Sequence, residues 1–110
     1  MDDLITRIQN GIAQLRQHIE AMKNWGIKKA NAERDYHIAL SQETLRERDK
    51  GTAIGVITLT VKGVREVAEK RMERDIGEVM YDVAKENVNA DKLELRILDA
   101  QAQREWSVRE

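Results

Sequence analysis

From its first residue to its last the chain contains no proline, and over most of its length apolar side chains recur at steps of three and four. No other feature constrains the fold as tightly. A backbone without a residue that deletes an amide donor and blocks the preceding turn is free to run as long helices, and three-four spacing gathers the apolar side chains into one stripe. The first series is Leu4, Ile8, Ile12, Leu15, Ile19 and Met22, resuming after Trp25 and Gly26 with Ile27, Ala30, Tyr36, Ile38, Leu40 and Leu45. Asp2 or Asp3 is suited to cap its start. Gly26 is read as a helical glycine, costing about 1 kcal/mol, within a continuous or slightly bent helix. The second series runs Val64, Val67, Ala68, Met72, Ile76, Val79, Met80, Val83, Ala84, Val88, Leu93, Leu95, Ile97, Leu98, Ala102 and Trp106.

Residues 51–63 break the pattern. They carry glycines at both ends and inside, β-branched residues between, and no acidic residue. Ile54, Val56, Ile57, Leu59 and Val61 have strand-like chemistry, but an isolated strand has no sheet to join, so a short helix or ordered loop over the hairpin tip is expected. The expected architecture is all-α: one domain over residues 1–110, with a first helix at about 3–49, a connecting segment at about 50–63 and a second helix at about 64–107, folded as an antiparallel hairpin. At ~1.5 Å per residue, helices of about 45 residues extend on the order of 65 Å. A hairpin of this kind buries a single seam. Between Val79 and Ala84, and again between Leu93 and Leu98, apolar residues occupy more than one helical face, which is wider than one antiparallel partner covers. Assembly into a homo-oligomeric helical bundle is therefore expected. Trp106 is expected to pack against the early turns of the opposite helix.

Composition narrows the chemistry. Nineteen basic and twenty acidic residues leave a net charge of −1, so no general positive field gathers nucleic acid or an anionic membrane. With no cysteine, disulfides, thiolate metal sites and thiol catalysis are excluded. No run reaches the roughly 18 uninterrupted apolar residues of a membrane span, and the chain opens with Asp2 and Asp3 rather than a basic leader, which reads as a soluble, non-exported protein. The two histidines, His18 and His37, both fall in the first helical series. His37 meets Ser41 at i to i+4 spacing, but no strained elbow or paired oxyanion donors accompany it, so no catalytic residues are assigned and no enzyme is expected. Glu33 and His37 also stand four apart, while the Glu-x-x-His motifs of helical metal bundles are missing. No metal or cofactor is expected.

Two clusters stand out as binding candidates. Arg46, Arg48, Lys50 and Lys62 gather at the hairpin tip beside Thr52, Thr58 and Thr60, parts suited to an anion such as a nucleotide phosphate. Lys28, Lys29 and Arg34 lie near Trp25, Tyr36 and His37, mixing cations with aromatic faces. The triplet Glu-Arg-Asp recurs at 33–35, 47–49 and 73–75, but its flanks share only loose apolar character, so it reads as charged helix surface.

Three segments carry a further likeness. Glu33-Arg-Asp-Tyr-His-Ile-Ala-Leu-Ser-Gln-Glu-Thr-Leu-Arg-Glu-Arg-Asp-Lys-Gly51, Glu73-Arg-Asp-Ile-Gly-Glu-Val-Met-Tyr-Asp-Val-Ala84 and Lys92-Leu-Glu-Leu-Arg-Ile-Leu98, in that order, resemble a family of small, largely uncharacterised proteins encoded by phages and prophages of Gram-positive bacteria. The similarity covers most of the chain after Ile27. It implies a phage origin, a helical fold and residence in the host cytoplasm, and it supplies no catalytic or binding residues. Small non-enzymatic phage proteins commonly act by binding. The leading expectation is an oligomer that counteracts host defence by sequestering a nucleotide signal or binding a defence protein. A nucleic-acid accessory in replication or recombination, or a structural assembly protein, is the alternative.

Overall fold

The computed structural model describes residues 2–109, and the side chains of residues 3–108. Three helices follow in order: α1 (Asp2–Asp49), α2 (Ile54–Lys62) and α3 (Arg65–Arg109). The described residues contain no strand. α1 runs unbroken through Gly26, and α1 and α3 pack against each other. Of the two capping candidates for α1, Asp3 lies within the helix, while the Asp2 side chain falls outside those described.

Packing divides the chain into two compact units, one made of the residues up to Asn24 with those from Asp82 onward, the other of Trp25–Tyr81. In the first unit Gly11 faces Leu95, while Gln14 and His18 both reach Asp91. As the number rises along α1 it falls along α3, so the two are antiparallel there. Leu4, Ala84, Val88 and Leu98 are buried in this unit.

Among them sits one buried acid. The Gln14 amide donates to Asp91 Oδ1 at 2.9 Å, and His18 Nδ1–H donates to Asp91 Oδ2, so both carboxylate oxygens are satisfied. A polar group inside a helical seam is tolerated when it is hydrogen-bonded in this way, and it then selects one register of the helices over others.

The second unit has the same antiparallel sense. Gly26 lies against the Tyr81 ring, Gly77 against the backbone of Lys29, and the Arg74 guanidinium 4.4 Å from the centre of the Tyr36 ring. Gly77 is needed for closeness: a Cβ placed there would stand 3.2 Å from the Lys29 Cα. Tyr36, Ala39, Ile57, Val61 and Val67 form the core, with Leu40 and Val64 packed against it; Val61 and Val67 are fully buried.

α2 settles how the β-branched segment folds. Nine residues are too few for a helix to persist alone, so α2 owes its stability to packing. Ile57 and Val61, four apart and hence on one face, both enter the core, whereas Ile54 (85% exposed) and Leu59 (75%) point away. No side chain caps its start at Ala53.

The end of α1 is set by Gly51. Its φ of +81° is the left-handed conformation that glycine adopts without a Cβ penalty. Gly51 N–H donates to the Arg48 carbonyl at 3.0 Å and Thr52 N–H to that of Glu47 at 3.2 Å, the paired bonds of a Schellman termination. Trp106, expected to pack against the early turns of the opposite helix, is 60% exposed. It stands in a turn of α3 where the inward positions are taken by Ala102 and Glu105, both half-buried.

Candidate functional site

The turn after α1 collects more charge than any apolar seam requires. Arg46 and Arg48 leave the last turn of α1, Lys50 follows it directly, and Lys62 ends α2; all four are exposed. Two of them already have partners. Arg46 pairs with Glu43, and Lys50 Nζ donates to Glu47 Oε1 at 3.4 Å. Both acids are buried, being 6% and 7% exposed. Thr52 Oγ1 donates to Glu47 Oε2 at 2.7 Å, so Glu47 joins the helix end, the turn and a cation. These contacts hold the Glu47 carboxyl below its ordinary pKa, the Thr52 hydrogen bond first and the Lys50 pairing after it, against the opposing pull of burial. Arg48 and Lys62 make no ion pair among the described residues.

Thr58 is exposed, and Thr60 Oγ1 donates back to the Val56 carbonyl at 3.0 Å within α2. Of the three threonines flanking the basic residues, therefore, two have their hydroxyls turned to this fold's own groups. At this turn two of the four cations, Arg46 and Lys50, are balanced by buried acids of α1.

The second candidate cluster divides in the same manner. Lys28 Nζ stands 4.4 Å from the Trp25 ring centre and Lys29 Nζ 4.9 Å from that of Tyr81, both cation–π contacts. Arg34 Nη2 pairs with Asp35 at 3.1 Å. Arg74 repeats the motif with Asp75 at 3.0 Å and lies on Tyr36 as well. Its pKa is raised further above the ordinary arginine range, chiefly by the Asp75 hydrogen bond, so it stays charged at any working pH. Tyr36, buried, is thus packing rather than an open stacking platform, and Trp25 is half-buried beneath Lys28.

His37 and Ser41 are both exposed on α1, the histidine ring 5.5 Å from that of Tyr36. Among the described residues no three His, Cys, Asp or Glu side chains converge as a metal-binding group, and no helix is long and apolar enough to cross a membrane.

Three acids were hidden from a reading by charge. Glu43 stands seven residues after Tyr36, and Glu47 seven after Leu40, so extending the inward stripe of α1 by its own spacing leads to both. Asp91 is likewise seven residues beyond the buried Ala84. The signal was positional; acidity masked it.

The class that these features define is an all-helical protein of two long, mutually packed helices joined through a short third one. No protein-family model matches the chain, nor does any curated protein or solved structure.

Proposed function

We propose that this protein acts without chemistry of its own, as a helical protein that associates with itself and presents the assembled surface to a protein partner. One observation carries this reading. Among the described residues nine hydrophobic side chains are buried while seventeen large ones are exposed, and most of the exposed set lies at helical spacing along α1 and α3 rather than scattered singly. Ordered apolar stripes that no element of the chain covers mark surfaces for other chains. The cations support the same preference. Five of the seven candidate basic residues are engaged by carboxylates or aromatic rings of the same chain, which lowers the charge available to a nucleotide or a phosphate backbone.

The resemblance to phage-encoded proteins narrows the proposal: the partner is a host defence protein, blocked by stoichiometric binding in the host cytoplasm. Sedimentation velocity from about 1 to 100 µM tests the general reading, with association expected to rise with concentration. A cooperatively folded monomer across that range refutes it. Expression in a defended bacterial host tests the narrower one, the expected outcome being restored plaque formation by a phage that the defence otherwise stops; unchanged protection would remove the defence role while leaving self-association standing.

A further inference from the structure

Along α3 two sets of positions alternate, and only one of them faces α1. The inward set includes Val67, Arg74, Gly77, Tyr81, Ala84, Val88, Asp91, Leu95 and Leu98. The other set is Met72, Ile76, Val79, Val83, Glu86, Ala90, Leu93, Ile97 and Ala100, in unbroken steps of four and three. Its six large apolar members are between 48% and 62% exposed. At 100° per residue the second set lies on the far side of the same helix, so α1 does not reach it. Steps of four and three sustained over four heptads are the spacing by which one helix seats against another.

We propose that this outer stripe is the contact between two copies of the chain, α3 against α3, antiparallel and centred between Glu86 and Ala90. The proposal rests on the self-association argued above and specifies its face, direction and register.

The pattern of the stripe carries the direction. Read outward from its centre it is nearly the same both ways: Val83 and Val79 on one side, Leu93 and Ile97 on the other. An antiparallel neighbour in this register therefore sets Val83 beside Leu93 of the second copy, Val79 beside Ile97, and Glu86 beside the small Ala90, twice over about a two-fold axis. The flanking charges agree. Asp82 comes opposite Arg96 of the second copy, and Arg96 is exposed with no ion pair among the described residues, while Asp82 has only a 3.9 Å contact with Lys85.

A parallel arrangement places Glu86 directly against its own copy and matches no opposite charges along the edges. Sliding the antiparallel pair by two heptads, to centre on Leu93 and Ile97, brings Arg96 onto Arg96 and Glu94 onto Glu94. Both alternatives set like charges together.

The chain has no cysteine, so engineered ones report cleanly. Val83→Cys and Leu93→Cys variants, each at a position already exposed, are prepared singly and also refolded together as a mixture, then exposed to mild oxidant. The mixture is expected to give a disulfide-linked dimer joining the two variants, and neither variant alone is. Dimerisation by sedimentation without that crosslink, or a crosslink formed by either variant alone, overturns the inference and leaves self-association intact. A monomer in sedimentation overturns both. As a second measure, Asp82→Arg and Arg96→Asp should each weaken association, on the order of tenfold, and the double variant should restore it. Additive weakening in the double variant would count against the register.

Discussion

Glycine at two positions does opposite things in this protein, and substitution should reveal it. Gly77 stands so close to the Lys29 backbone that alanine there must push α1 and α3 apart, and neither main chain yields as a flexible side chain does. Gly77→Ala is expected to lower stability by about 1–3 kcal/mol despite the helix propensity it adds. At Gly26 the nearest atom to a new Cβ is Cε2 of the Tyr81 ring at 3.4 Å, ordinary contact. Gly26→Ala should be neutral or stabilising, by up to about 1 kcal/mol. Chemical denaturation of the two variants beside the parent decides it; equal effects would mean that the close approach of α1 and α3 at Gly77 carries no weight.

Glu47 gives a residue-scale pH dependence. Its carboxyl is held below its ordinary value in the folded chain, so the folded state binds its proton less readily than the unfolded chain does. The stability this contributes is present above the unfolded carboxylate pKa and is lost as pH falls through the lower folded one. Glu47→Gln should flatten part of the loss of stability on acidification, and Thr52→Val, which removes the first cause of the shift, should do so as well. Denaturation midpoints at a series of acidic pH values read the effect. Parallel pH profiles for parent and variants would contradict it.

At the scale of elements, most of the architecture was legible. Spacing located both long helices to within a residue or two of their ends, because proline-free three-four periodicity leaves a helix as the one structure that gathers those side chains. α2 was harder. Its β-branched residues suit strands, and only the tertiary placement of Ile57 and Val61 in the core decides for a helix. Val61→Ala should cost about 2–3 kcal/mol, since a fully buried side chain loses its packing and leaves a cavity; Ile54→Ala on the outer face should cost little. If both cost the same, α2 is not docked through its inner face. The candidate basic residues were found by charge, but their counter-charges were not: an acid at a buried position follows the apolar spacing while breaking its chemistry, as Glu43, Glu47 and Asp91 do.

For the molecule as a whole, the balance between covered and uncovered apolar surface sets the behaviour. Where folding and association are linked, the thermal midpoint rises with protein concentration, because mass action favours the assembled folded form over the unfolded chain. A midpoint that is flat over a hundredfold range would show that each chain is stable alone. Charge adds little to this balance. With a net charge of −1, salt should shift association weakly, whereas the edge pairs of a specific register would still be screened in part. Whole-chain charge was visible in the sequence from the start; which cations were already occupied was a matter of side-chain contacts that spacing alone does not encode.

The buried Asp91 has a consequence for errors of assembly. A stripe repeating every seven residues is indifferent to a slip of one repeat, and a hairpin built only of such stripes would trap itself in shifted pairings. Slipping α1 by seven residues so that Ala21 falls where Gln14 now sits would strip the buried Asp91 carboxylate of both the carboxamide and the imidazole that now satisfy it. That single stranded anion makes the misaligned hairpin a poor competitor, and His18→Leu, which leaves Asp91 short of one donor even when aligned, should both destabilise the chain by about 1–3 kcal/mol and let slipped forms persist as extra phases during refolding.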